Sequence, residues 1–348
     1  GPPVVNVNGP RYGAIFGADR RLLGLNNIEL ITDRPLETNL EEITRVKKDY
    51  PDRAIIVSLM VPCEEAAWKA ILPRVMETGA DGIELDVLLT SDGVPVVTHN
   101  HHLLADTTRD SAGVFLSEEG PAIGALTYEE LCAFDVGGIR PGSEYAKKHP
   151  QKQDLPGARV PRLSDVLDLV AKADRPVDVL VELKHDPEDA AEPAPEDFVR
   201  AAVDVITATG TQDHCLIHAF DWQILSAAKR VAPQFRRSHL SMSREIHASG
   251  NLYDGSPWLD GAPADPEAML RHLADTGATV WSPLFWELTP AHRELARSLG
   301  LQVMVWTMRG ADAIRKGLLA DVDGVITDDP ALAVRLRKEL SEAGELAS

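Results

Sequence analysis

Eight short apolar runs recur along this chain, and amphipathic helical stretches separate most of them; no other feature narrows the choice of fold as much. Read as strands, the runs are 55–60, 82–87, 178–183, 214–218, 236–240, 279–282, 302–306 and 323–327. The helical stretches are 64–78, 163–173, 196–209, 221–231, 266–276, 290–299 and 310–319. Strand alternating with helix implies a parallel sheet, because parallel neighbours need a crossover long enough to hold a helix. Eight such units imply that the sheet closes on itself, which makes this an α/β chain built as a (β/α)8 TIM barrel. The run at 236–240 is short and polar and matches the strand pattern least. A doubly wound open sheet is the alternative, but the chain carries neither GxGxxG nor a GxxxxGK motif, the nucleotide signals of that fold.

Two regions fall outside the eightfold pattern. Residues 1–50 form an N-terminal extension with a strand expected at 28–32 and a helix near 37–49. Residues 101–161 form a long insertion after the second strand, rich in Gly, Pro and charge, and a connection of that length inside a barrel is more often functional than accidental. The barrel itself is expected over 51–340, with 341–348 as a tail. The acidic run at 186–197 reads as a solvated loop.

Charge limits the partners. With 35 Lys and Arg against 54 Asp and Glu, the net charge is −19, and no basic patch offsets it. That field excludes a nucleic-acid or anionic-membrane partner. A phosphate compound is still acceptable if a metal cation lies between it and the acids. No apolar stretch reaches the roughly 18–20 residues of a membrane span. No signal peptide precedes Gly1, so a soluble, cytoplasmic chain is expected, with a removed leader left open. Cys63, Cys132 and Cys215 are odd in number and far apart, so they fit neither a disulfide framework nor a zinc site and are expected to be inert thiols.

The chemistry begins in the stretch 81–99, DGIELDVLLTSDGVPVVTH. Side chains alternate along a strand, so Glu84 and Asp86 share one face while Ile83, Leu85 and Val87 share the other. The apolar face belongs against the helices, which sends the two acids into the barrel. Two carboxylates on one inner face repel each other, which is tolerable with a cation between them; an inward Arg or Lys pairing with them is the alternative. Asp92-Gly93 signals a hairpin. If those two residues form the loop, His99 lies opposite Asp86, on the same face. On the third strand, DVLVELK, Glu182 and Lys184 share the face opposite Val181 and Leu183. An inward acid here suggests another ligand, and the lysine a fixed positive charge for an anionic oxygen. A plain Glu182–Lys184 salt bridge is the competing account. Three carboxylates make an all-oxygen donor set, which favours Mg2+ or Ca2+ over zinc.

The stretch GADGIELDVLLTSDGVPVVTHN resembles the metal-binding segment of glycerophosphodiester phosphodiesterases, and ARVPRLSDVLDLV, VLVELKH, HAFDWQIL, GLQVMVWT and VDGVITDDP resemble later segments in the same order. The resemblance covers about 79–340. It implies a barrel enzyme that hydrolyses glycerophosphodiesters to an alcohol and glycerol 3-phosphate. It implies that Glu84, Asp86 and Glu182 are the metal ligands, His99 a catalytic histidine, Lys184 the phosphate-facing lysine and Trp306 the aromatic lining the glycerol side. Core packing is the alternative role for Trp306.

One family signature is missing. The first strand of these enzymes ends in His-Arg-Gly, which supplies a second catalytic histidine and a phosphate arginine. Here it reads AIIVSLMVPCEE, with Val57 and Ser58 about where histidine and arginine belong. His101, His102, His185 and His218 are the candidate substitutes. The chain before about Leu85 instead resembles part of the flavin barrel of dihydropyrimidine dehydrogenases, without that family's cysteine-bearing loop or its remaining flavin-binding half. The chain therefore reads as a junction of two barrel proteins at a shared strand near 79–85, and no flavin is expected. The expected function is impaired metal-dependent phosphodiester hydrolysis. A non-catalytic barrel that binds metal and phosphate, or a fragmentary flavin-linked pyrimidine oxidoreductase, are the alternatives.

Overall fold

The computed structural model describes residues 82–148, 154–173 and 176–327, positions 333, 336, 337, 339 and 340, and the backbone of three strands at 12–16, 22–27 and 54–58. The helices expected at 64–78 and 37–49, the strand at 28–32 and the tail at 341–348 lie outside the described residues. In the N-terminal segment, β1 (Tyr12–Phe16) and β2 (Leu22–Asn27) pair as an antiparallel hairpin that the sequence pattern did not suggest.

All eight expected barrel strands form. They are β3 (Ala54–Ser58), β4 (Gly82–Leu89), β6 (Asp178–Leu183), β7 (Cys215–Ala219), β8 (Arg236–Ser241), β9 (Val280–Pro283), β10 (Gln302–Val305) and β11 (Gly324–Thr327), with β5 (Pro95–Val97) folded back on β4. Neighbouring barrel strands are parallel, in the order β3, β11, β10, β9, β8, β7, β6, β4, and a β3–β4 pairing closes the ring. The polar strand at 236–241 holds its place because both its neighbours pair with it.

The alternation predicts an apolar outer face, and the helices cover it. Ile83, Leu85 and Val87 of β4 and Val179, Val181 and Leu183 of β6 are all at or below 1% exposure. They belong to one cluster with Leu163 and Leu167 of helix α3 (Leu163–Ala171), Phe198 and Ile206 of α4 (Pro195–Ala208) and Ile224 of α5 (Trp222–Val231). Two short helices, α1 (Tyr128–Leu131) and α2 (Glu144–Lys148), precede these. Each such buried side chain contributes about 1.5–3 kcal/mol by leaving water. Helix starts are written into the sequence. Proline occupies the first turn of α4, of α6 (Pro266–Asp275) and of α7 (Pro290–Ser298), while Asp221, Asp265 and Thr289 cap α5, α6 and α7 with side-chain acceptors. Helix α8 (Gly310–Leu319) leads into β11.

Inside the ring, Leu180, Leu216, Val280, Met304 and Ile326 from five strands form an apolar floor. Close packing at the β4–β6 step also needs Gly82, where a Cβ would stand 2.6 Å from the Asp178 carbonyl oxygen. Above the floor the inner face turns polar, and that change marks the functional end of the barrel.

Between His99 and α3 the chain packs on the β4–β5 hairpin through Leu88, Val96, Leu103, Ile123, Leu131 and Val160. Arg109 ties this stretch together by pairing with Asp135 at 3.1 Å and with Asp154. Thr127 and Glu130 cap α1 reciprocally. Cys215 is buried, with its thiol pushed up to about 11 by that burial, and Cys132 is half-buried; both are free. No helix among the described residues is long and apolar enough to cross a membrane.

Candidate active site

The acids reach the inner face as the alternation requires. Asp86 on β4 is the register partner of Glu182 on β6, and Glu84 is the partner of Leu180 in the floor. Lys184 follows β6 directly, and its backbone N–H donates to the Val87 carbonyl at 3.0 Å. Its ammonium then lies 3.1 Å from Asp86 Oδ1 and 3.1 Å from Glu182 Oε1. Glu84 sits deeper, with its Oε1 3.3 Å from His218 Nε2. These groups crowd the C-terminal ends of adjacent strands, where barrel enzymes build their sites.

The electrostatics follow from one ammonium among several acids. Burial pushes the Asp86 carboxyl up, but the Lys184 ammonium, helped by His99, outweighs it and brings Asp86 down to about 2. Glu182 goes the other way. Burial raises it, Lys184 opposes, and the neighbouring charges of Asp86 and Glu84 leave the net shift upward. Lys184 itself is pushed down by burial and further up by the two carboxylates, so it stays charged.

The expected pairing of His99 with Asp86 is not what forms. Val87, Leu88 and Leu89 pair with Val97, Val96 and Pro95, and it is the Thr98 N–H that donates to the Asp86 carbonyl, at 2.9 Å. The loop has three residues, Ser91, Asp92 and Gly93, instead of two. Gly93 adopts φ +79°, and Thr90 Oγ1 locks the loop by donating to Asp92 at 2.6 Å and accepting from the Val94 N–H at 2.9 Å. A turn ending on a left-handed glycine is the usual three-residue hairpin, and it shifts the register by one. His99 is therefore exposed at the rim, one residue past the paired position, yet still near enough to influence Asp86.

The other histidines separate by environment. His101 Nδ1 is 3.1 Å from Glu192, and His102 Nδ1 is 3.7 Å from Glu119, both near the surface. His185 is buried and held at both ends, with Nδ1 2.6 Å from Asp221 Oδ2 and Nε2 3.0 Å from the Pro193 carbonyl. His218 is fully buried on the inner face of β7. Trp306 donates its indole N–H to the Ser282 carbonyl at 2.7 Å, meets Phe220 edge-on at 5.1 Å and packs on the floor. A cavity of about 560 Å³ lies instead over the ends of β8 and β9, beside Tyr253, Trp281 and Glu287, and touches none of the six expected site residues.

The His185 clamp was not legible in the sequence, since it joins residues 36 apart. Burial pushes His185 down, but the Asp221 carboxylate, by hydrogen bond and by charge, and the Pro193 carbonyl carry it up. Burial also raises Asp221. With an oxygen acceptor at each ring nitrogen, only the imidazolium satisfies both. A raised histidine stabilises the fold fully below its unfolded pKa of about 6.5 and loses that contribution as pH rises through the folded value. Thermal melts from about pH 6 to 9 should therefore show an alkaline decline that His185→Asn flattens. Parallel declines in both proteins would assign the effect elsewhere.

The donor set suits a hard divalent cation in its chemistry: three inward carboxylates against one lysine, with a buried imidazole at the edge that has no hydrogen-bond partner. The side chains as placed are drawn around Lys184. Among the described residues, no group of three or more His, Cys, Asp or Glu is arranged to hold a metal ion.

Most of this chain is similar to proteins of one known family. The sequence model of the glycerophosphoryl diester phosphodiesterase family matches residues 70–332. A glycerophosphodiester phosphodiesterase of Caldanaerobacter subterraneus is 28% identical over 271 residues, 77% of this chain and 90% of that protein. A solved structure from Silicibacter pomeroyi DSS-3, of a protein assigned as a glycerophosphoryl diester phosphodiesterase, shares 30% identity with a TM-score of 0.71 and covers 87% of this chain and 98% of that one. An 88-residue stretch is 46% identical to the chloroplastic dihydropyrimidine dehydrogenase (NADP(+)) of Arabidopsis thaliana, spanning 24% of this chain but 20% of that enzyme.

Proposed function

Because this chain belongs to the glycerophosphoryl diester phosphodiesterase family, whose members are phosphoric diester hydrolases, we propose that its barrel mouth hydrolyses glycerophosphodiesters to an alcohol and glycerol 3-phosphate, slowly and with a divalent cation. The observation that carries this reading is the convergence of Asp86, Glu182 and Lys184, with Glu84 beneath them, at one strand-end rim. One ammonium cannot neutralise that set, so an added cation is favoured.

Glu84, Asp86 and Glu182 would hold that ion, with Mg2+ or Ca2+ the match for their oxygens, and it would supply positive charge for the phosphoryl oxygens. Lys184, already charged and fixed by two carboxylates, supplies a second positive group facing the same anion. His99, exposed at the rim, protonates the departing alcohol. Trp306 offers its half-buried ring to the glycerol side. The base that activates the nucleophile is missing at positions 57 and 58, as is the arginine. His185 is committed to its clamp and does not replace that base.

In this organisation, residues 1–50 are an extension, 51–340 the barrel domain, 101–161 an insertion on its rim and 341–348 a tail. The extension carries no flavin chemistry, and a preparation holding flavin at near-equal stoichiometry would contradict that.

The metal assignment has a direct test. Mg2+ or Ca2+ should raise the melting temperature by mass action, by about 2.7 kcal/mol in stability at a hundredfold excess over the dissociation constant. The double variant Glu84→Gln/Asp86→Asn should lose the response. A variant that responds like the parent protein would remove these residues from the metal site.

A further inference from the structure

We propose that His218 is a fourth donor, a nitrogen, to the cation assigned to Glu84, Asp86 and Glu182, and that it turns the site toward Mn2+ and Co2+ and away from Mg2+ and Ca2+. The inference rests on the reading of the acid cluster as a cation site and specifies which ion that site selects.

Three observations carry it. First, His218 belongs to the row of acids: Asp86 pairs in register with Glu182, Glu182 with His218, and His218 with Ser238, so all four sit on the same inner face. Second, its ring is 0% exposed, and its Nε2 lies 3.3 Å from Glu84 Oε1 without the alignment of a hydrogen bond. Third, neither ring nitrogen has a hydrogen-bond partner, and the hydroxyl of Ser238 beside it lacks one too. Folded interiors pair nearly all such groups, so three orphaned polar atoms in one buried spot next to several carboxylates indicate a polar occupant shared with the acids.

The ligand chemistry follows from the donors. Carboxylates alone suit Mg2+ and Ca2+, whereas imidazole nitrogen favours first-row transition ions. One imidazole added to three carboxylates gives a mixed set that binds Mn2+ and Co2+ well and gains nothing with Ca2+. His99 is exposed at the rim and also bears on Asp86 by its charge, so loss of the nitrogen coupling in His218→Gln distinguishes the two.

Pulsed electron paramagnetic resonance of the full chain loaded with Mn2+ tests this without reference to activity. The expected result is a 14N coupling from a directly bound imidazole. It should be absent in His218→Gln, whose Mn2+ and Co2+ affinities should drop about 10-fold or more while Mg2+ and Ca2+ affinities change little. Mn2+ bound at the site, as judged by its loss in Glu84→Gln/Asp86→Asn, but without nitrogen coupling, would overturn the role of His218 and leave the metal assignment standing. Coupling that persists in His218→Gln would also overturn it and point to His99. No divalent binding that depends on Glu84 and Asp86 would sink both readings together. An absent coupling in the unmodified chain overturns the role of His218 without any variant, and should His218→Gln fold badly, a coupling lost in His99→Ala overturns it while one that persists there supports it.

Discussion

Ser58→His combined with Leu59→Arg should raise the rate of metal-dependent glycerophosphocholine hydrolysis by about 10²–10⁴-fold over the unmodified chain. The reaction needs one group to take a proton and another to give one as the ester bond breaks. His99 can give; nothing at the first strand can take. Backbone register decides where the missing histidine belongs. Position 58 pairs with Glu84 and position 57 with Ile83, so residue 58 lies in the row of the acids and residue 57 in the row that faces the helices. The alternative double variant, Val57→His with Ser58→Arg, should therefore gain less. His99→Ala in either background should abolish the metal-dependent turnover that belongs to this site. If the unmodified chain already turns over at an ordinary enzymatic rate of about 1–10³ s⁻¹, the first-strand histidine is dispensable here and another histidine has its role.

The second large effect concerns Lys184. Replacing it with methionine keeps the bulk of the side chain but removes the ammonium that sits 3.1 Å from both Asp86 and Glu182. Those carboxylates have side-chain exposures of 23% and 9%, too little for water to compensate them fully. Stripping one partner from a buried ion cluster costs about 3–5 kcal/mol. For a chain of this size that is on the order of 10 °C in melting temperature. Divalent metal should recover part of the loss, because the cation then replaces the ammonium as counter-charge. The pH dependence also has a sign. Asp86 is depressed to about 2, so its contribution is present above the ordinary aspartate range and is lost as pH falls toward that value. In Lys184→Met that acid limb should move to higher pH. A variant as stable as the parent, with an unchanged acid limb and no metal response, would show that the three groups are not energetically coupled.

The barrel was legible because period-two alternation survives in most of its strands, and because proline and capping residues punctuate the helices. Strand β8, whose sequence is mostly polar, matched the pattern least, and its inner Ser238 explains why: it faces the polar half of the interior. The inward acids were legible for the same reason. The hairpin register was not. Asp92-Gly93 looks like a two-residue turn, and the deciding feature is Thr90, whose hydroxyl bonds across the loop and brings Ser91 into it. Neither were His185–Asp221 and His218–Glu84 visible, because they join residues far apart in sequence that only the parallel packing of β4, β6 and β7 brings together.

Closure of the ring has a consequence for where this protein can be divided. The family match begins at residue 70, but the strand that joins β11 to β4 is Ala54–Ser58. The segment that resembles a different enzyme thus provides the keystone of the barrel. Trimmed at the family boundary, the remainder would be an open seven-membered arc with two raw edges, each a row of unpaired amide and carbonyl groups ready to template onto another chain. The limit of the family match and the limit of the closed sheet do not coincide here, and the strand that precedes the match belongs to the ring as fully as any other.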